Sequence, residues 1–269
     1  PEAHLLQLRR TAACAAGFLA LVLLVPGLMA GEPSPQTPPS SPSPSLLLIT
    51  VDGLRPDALS CYGKGRGIAT PSIDKLAERG RIYGAALAVS GSALPSLATM
   101  LTGKTPFQHQ VWDDDYRNQL SQSEVTLAER LKKKGYRTAA FLGSSVAPGR
   151  GLDQGFDLFQ DGYVAPLSGV WRLKARTSET VSAAVKSWIG ALDATPYFLW
   201  IHFLDPSIPG AWSSAQPSGD PAGTYAQRVA GVDRSLGEIL EVLSKRPDYG
   251  KLVVALTADH ALGLGDHGE

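Results

Sequence analysis

Apolar and polar positions divide the chain into a patterned body and an unpatterned start. Leu46-Leu47-Leu48-Ile49-Thr50-Val51 is a short unbroken apolar run that stops at Asp52. Such a run marks a strand covered on both faces. Arg137 to Leu142, Tyr197 to Leu204 and Lys251 to Thr257 read the same way. Helical patterns separate them. Thr70 and Pro71 form an N-cap and first helical residue, Ile73, Leu76 and Ala77 face inward, and Gly80 closes the helix. Thr126 and Glu129 make a capping box for a helix through Leu127 and Leu131 to Gly135. Two more helices are expected near Ser178 to Leu192 and Tyr225 to Leu243. This alternation predicts an α/β fold: a mostly parallel central sheet with helices on both faces. No internal repeat is present.

The start of the chain has a different character. Arg9 and Arg10 precede an uncharged run from Thr11 to Gly31 that includes Phe18, Leu19, Leu21, Val22, Leu23, Leu24 and Val25. Residues 1–31 therefore read as an export signal or a membrane anchor. The run is long enough to cross a bilayer at about 20 helical residues, but Pro26 and Gly27 interrupt it. Ala30 suits a cleavage site at −1, whereas Leu28 is large for −3, so both readings stand. Either one predicts an exported body: periplasmic, secreted or membrane-anchored. Residues 32–44 are rich in Pro and Ser and read as an extended linker. Residues 45–269 form one domain, large enough to bury about 70% of its unfolded surface.

Composition removes several classes of function. Lys and Arg number 25 against 25 Asp and Glu, so net charge supplies no general attraction to nucleic acid or anionic lipid. Two cysteines, Cys14 and Cys61, are too few for a disulfide scaffold or a structural zinc finger.

Three strand candidates end on acids. Asp52 follows the first, Asp205 the third, and Asp259 the last, with His260 immediately after it. Loops at the carboxyl ends of parallel strands carry polar groups without disturbing the core, and ligands gather there. One such Asp is ordinary at a strand end. Three with a His attached predict a convergent site, whose carboxylates and imidazole suit a hard-to-borderline divalent cation. Such an ion would neutralise charge on the oxygens of an anionic ester.

Five blocks in order resemble the sulfatases of the alkaline phosphatase superfamily. Leu48 to Gly63, LITVDGLRPDALSCYG, is similar to the family's opening strand and metal-binding acid. Thr70 to Gly80 resembles its TPNIDRLAxxG helix, and Ala93 to Gly103, ALPSLATMLTG, resembles the signature CxPSRAxLLTG. Leu127 to Ala140 resembles TLAExLKxxGYxTA, and Thr257 to Glu269, TADHALGLGDHGE, resembles TxDHGExLGEHGE. The resemblance implies hydrolysis of a small-molecule or glycan sulfate or phosphate ester. It implies a divalent cation held by Asp52, Asp259 and His260, with Ca2+ favoured over Zn2+, Mn2+ or Mg2+. Ser96, His202 and Asp205 are expected near the ester, with His267 close by. The chain opens on Pro1 rather than Met and ends inside a motif. The family continues past that motif, so this reads as the N-terminal portion of the catalytic domain, with one sheet edge uncovered.

The same resemblance exposes losses. The family's nucleophile, a formylglycine made from Cys or Ser, or a Thr or Ser used directly, falls at Ala93, whose methyl group cannot attack. Leu97 stands where an Arg or His supports the nucleophile, Gly53 where a second acid is common, and Ser207 where a His is usual. Gly143 and Ser144 replace a Gly-Lys pair, and Ala261 and Leu262 a Gly-Glu pair. Ser92 is a weak substitute, because a neighbour on a helix points about 100° away. The start of the signature helix would still offer N–H groups to an anion. Two functions follow: an ester hydrolase with impaired catalysis, or an exported anion- or glycan-binding pseudoenzyme.

Overall fold

The computed structural model describes residues 43–63, 68–115, 117–143, 149–164, 172–173, 175–207 and 221–264. The expected leader at 1–31, most of the expected linker, Ser144 and His267 lie outside these residues. Among the described residues, no helix is long and apolar enough to cross a membrane.

Strands β1 (Leu46–Val51), β2 (Arg137–Leu142), β3 (Leu158–Gln160), β6 (Tyr197–Phe203) and β7 (Val253–Ala258) form one sheet in the order β3-β2-β6-β1-β7. Every pairing in it is parallel. β4 (Tyr163–Val164) and β5 (Arg172–Leu173) make a separate antiparallel pair. The helices are α1 (Pro71–Arg79), α2 (Ala93–Thr102), α3 (Pro106–His109), α4 (Leu127–Lys132), α5 (Ser178–Gly190) and α6 (Pro221–Ser244). The elements expected from the pattern are all present. β3, β4, β5 and α3 are too short to show a period, and none was read from it.

Alternation along the strands builds two cores. In β6, Tyr197, Leu199, Ile201 and Phe203 join Leu47, Ile49 and Val51 under α5 and α6, with Val181, Val185, Val229, Val232 and Leu236. Phe198 and Trp200 point to the other face and pack with Leu94, Leu97, Ala98 and Leu101 of α2 and Ala128 of α4. Each large side chain so buried contributes about 1.5–3 kcal/mol. His202 has the parity of Phe198 and Trp200, so it lies on the face that α2 covers. β7 is an edge strand whose Val253 is 50% exposed.

Candidate metal centre

Register places the acids. Val51 pairs with Phe203 on one side and Ala258 on the other, so Asp52 and Asp259 leave adjacent strand ends together. Thr50 pairs with His202, and residues in register on parallel strands share a face. Ligand atoms of Asp52, His202 and Asp259 all lie within 4.8 Å of one another, and all three residues are buried. His260 stands beside them, with Nε2 3.7 Å from Asp52 Oδ1 and Nδ1 3.1 Å from Asp259 Oδ1. The sequence grouped Asp52, Asp259 and His260. The fold brings these together and adds His202, which the sequence pattern alone sets near the ester rather than among the metal ligands.

The surrounding groups orient these ligands. Trp200 Nε1 donates to Thr50 Oγ1 at 2.9 Å, and His202 Nδ1 lies 2.8 Å from the same hydroxyl. The Thr50 hydroxyl is also 3.4 Å from the Ile201 carbonyl, and its contact with Nδ1 turns Nε2 of the ring toward Asp52. That Nε2 is 3.7 Å from Asp52 Oδ2. Asp259 Oδ1 accepts from His260 N at 2.8 Å and Gly53 N at 3.3 Å. Its Oδ2 is buried without a hydrogen-bond partner. An orphaned buried carboxylate oxygen is costly unless a cation or water meets it, and this donor set of oxygens and one imidazole nitrogen fits a divalent cation.

Charge in the cluster follows from the same geometry. Burial acts to raise the Asp52 carboxyl, but the imidazole of His202, the Ser207 hydroxyl and the charge of His260 outweigh it and hold Asp52 below its ordinary value. Asp259 raises the pKa of His260 against the opposing effect of burial, and Asp52 and Asp114 add to the rise.

The loop after β1 is held from α6. Tyr225 Oη donates to Gly53 O at 3.1 Å and accepts from Arg55 N at 2.8 Å. Gly53 has φ +68°, and a Cβ there would stand 2.3 Å from Ser207 Oγ and 2.5 Å from Leu262 Cγ. A side chain at that position would strain the backbone and displace Ser207 and Leu262.

Ala93 is the first residue of α2 and only 3% exposed, with Ser92 as a half-buried N-cap that makes no side-chain cap bond. Ser96 is buried and its hydroxyl donates to Ser90 O at 3.3 Å. Leu97 is wholly buried in the core under α2. Asp205 lies at the start of α5, where Oδ1 accepts from Ser178 N at 2.9 Å. The N–H groups expected to be open to an anion at the start of α2 are engaged: Asp114 accepts from Ala93 N at 3.2 Å and Leu94 N at 2.7 Å. Sequence reasoning missed Asp114, Thr50, Trp200 and Tyr225. The one local signal was a polar Thr inside an apolar strand.

The Sulfatase family model matches residues 44–269. Mouse (Mus musculus) steryl-sulfatase is 35% identical over 121 residues, covering 42% of this chain and 19% of the relative. The N-acetylglucosamine-6-O-sulfatase of Bacteroides thetaiotaomicron is 33% identical over 96 residues, covering 36% of this chain and 17% of that protein. The solved phosphonate monoester hydrolase of Agrobacterium radiobacter shares the fold at TM-score 0.67 and 19% identity, over 84% of this chain and 64% of the other. The chain thus spans less than two thirds of each of these relatives.

Proposed function

This chain belongs to the sulfatase family, and from that premise we propose that it carries a divalent-cation site for a sulfate or phosphate ester, with hydrolysis impaired at the nucleophile position. The convergence of Asp52, His202 and Asp259 within 4.8 Å carries this reading. These three residues would hold the ion, with His260 alongside; once bound, it neutralises charge on the ester's oxygens. Two carboxylates favour Ca2+, and the imidazole leaves Zn2+, Mn2+ and Mg2+ as alternatives. The chain's own residues do the positioning. Thr50 and Trp200 fix the ring of His202, and Tyr225 fixes the loop behind Asp52.

Ala93 lacks an attacking atom, and removing an active nucleophile commonly costs on the order of a thousandfold to a millionfold in rate. Binding can outlast that loss. Ala93 therefore also supports a second reading, an anion- or glycan-binding module without turnover. The names steryl-sulfatase and N-acetylglucosamine-6-O-sulfatase support a small-molecule or glycan sulfate ester as the ligand. Arg9, Arg10 and the apolar run after them support an exported domain, with membrane anchoring through the same segment.

A chromogenic aryl sulfate and aryl phosphate, assayed with added Ca2+, test the reading. Turnover should be near background in the native chain and rise roughly tenfold or more in Ala93→Ser or Ala93→Thr. The gain should vanish when Asp259→Ala is added. Saturable binding with no gain in either variant would favour the binding module.

A further inference from the structure

We propose that Tyr225 is a positioning residue that sets which ion the cation site prefers: from α6 it braces the residue that spaces Asp52 from Asp259, so that a Ca2+-sized ion is taken over a smaller one. The proposal rests on the cation-site reading above and deepens it. The brace converges on Gly53, whose N–H donates to Asp259 Oδ1 at 3.3 Å and whose carbonyl accepts from Leu262 N at 3.3 Å and from Tyr225 Oη at 3.1 Å. One residue thus ties the loop after β1 to the loop after β7 on both of its polar groups. Arg55 doubles the tie, donating from N to Tyr225 Oη at 2.8 Å and from Nη1 to Leu262 O at 3.3 Å. On the other side, Asp52 N donates to Phe203 O at 2.9 Å. The ligand's own backbone is therefore fixed to β6.

Tyr225 is the member of this set that belongs to neither loop. It is 1% exposed and packed in the core under α6, so its hydroxyl is a fixed point to which the loop after β1 is fastened. Glycine has the widest backbone freedom of any residue, and Gly53 stands at φ +68°. These bonds remove that freedom. Rigidity is what separates two ions of equal charge: Ca2+ takes oxygens at about 2.3–2.6 Å in irregular shells, whereas Mg2+ needs about 2.0–2.1 Å in a near-octahedral one. Carboxylates braced apart cannot close onto the smaller ion. Once the brace is gone, they can.

Calorimetric titration of the full chain, stripped of metal with a chelator, with Ca2+ and with Mg2+ tests this. The native chain should bind Ca2+ roughly a hundredfold or more tightly than Mg2+. Tyr225→Phe keeps the ring and removes only the hydroxyl; it should weaken Ca2+ roughly tenfold or more and Mg2+ less than about threefold, so the ratio narrows. Tyr225→Met, which fills the same space with a flexible side chain and no hydroxyl, should do the same and serves where the Phe variant folds poorly. A merely structural role would weaken both ions equally, and an unchanged ratio in a folded variant would overturn the proposal. So would a native ratio near one, which needs no variant to read. If the native chain binds neither ion, the cation-site reading itself has failed and this inference falls with it.

Discussion

At position 93 the signature carries a methyl group, and the proposed loss of the nucleophile is legible in the sequence because it rests on that one position in one motif. The strain at Gly53 was not legible. Its left-handed φ of +68° and the crowding by Ser207 and Leu262 come from residues far along the chain. Gly53→Asp should therefore fail to restore a second acid and should cost about 1–3 kcal/mol, seen as a lower unfolding midpoint; an unchanged midpoint would contradict the crowding. Asp205 carries a pH prediction. Burial raises its carboxyl above the ordinary 3.8, with the Ser178 amide opposing. The folded state then binds the proton more tightly than the unfolded state. Asp205 accordingly contributes stability below pH 3.8 that is lost as pH rises through its elevated native pKa. Asp205→Asn keeps an acceptor for Ser178 N and removes the ionisation. Denaturant titrations across this range should show a shallower fall in stability with pH than in the native chain, and equal slopes would contradict the assignment.

Helix starts show which elements a sequence can specify locally. The box at α4 lies within four residues: Thr126 N donates to Glu129 Oε2 at 2.8 Å and Glu129 N to Thr126 Oγ1 at 3.2 Å. It was readable for that reason. Three other helices are capped by carboxylates from distant segments. Asp233 of α6 accepts from Ser72 N at 3.0 Å and Ile73 N at 2.9 Å in α1, Asp114 serves α2, and Asp205 serves α5. No periodicity encodes these pairings, which exist only once the sheet has aligned the helices. They join one helix to another part of the fold, so their loss should act on the whole domain. Asp233→Ala should cost about 1–2 kcal/mol, measured as a lower denaturation midpoint with an unchanged denaturant slope. A loss well under that range would mean that water caps α1 equally well.

At the scale of the molecule, parallel pairing brings chain ends together. β1 and β7 are more than 200 positions apart in sequence yet adjacent in the sheet, and their shared register carries Asp52 to Asp259. The strand runs and their terminal acids were legible because parallel strands are buried on both faces and stop where polar loops begin. The role of His202 was not, because it depends on the register of β6 against β1, which placed its ring behind Asp52 and against Thr50. In the proposed site Asp52, His202 and Asp259 share one cation. Anomalous diffraction from crystals saturated with Mn2+ should show a single strong peak within about 2.0–2.6 Å of carboxylate oxygens from both Asp52 and Asp259 and of His202 Nε2. A peak elsewhere, or none at saturating Mn2+, would contradict the shared site.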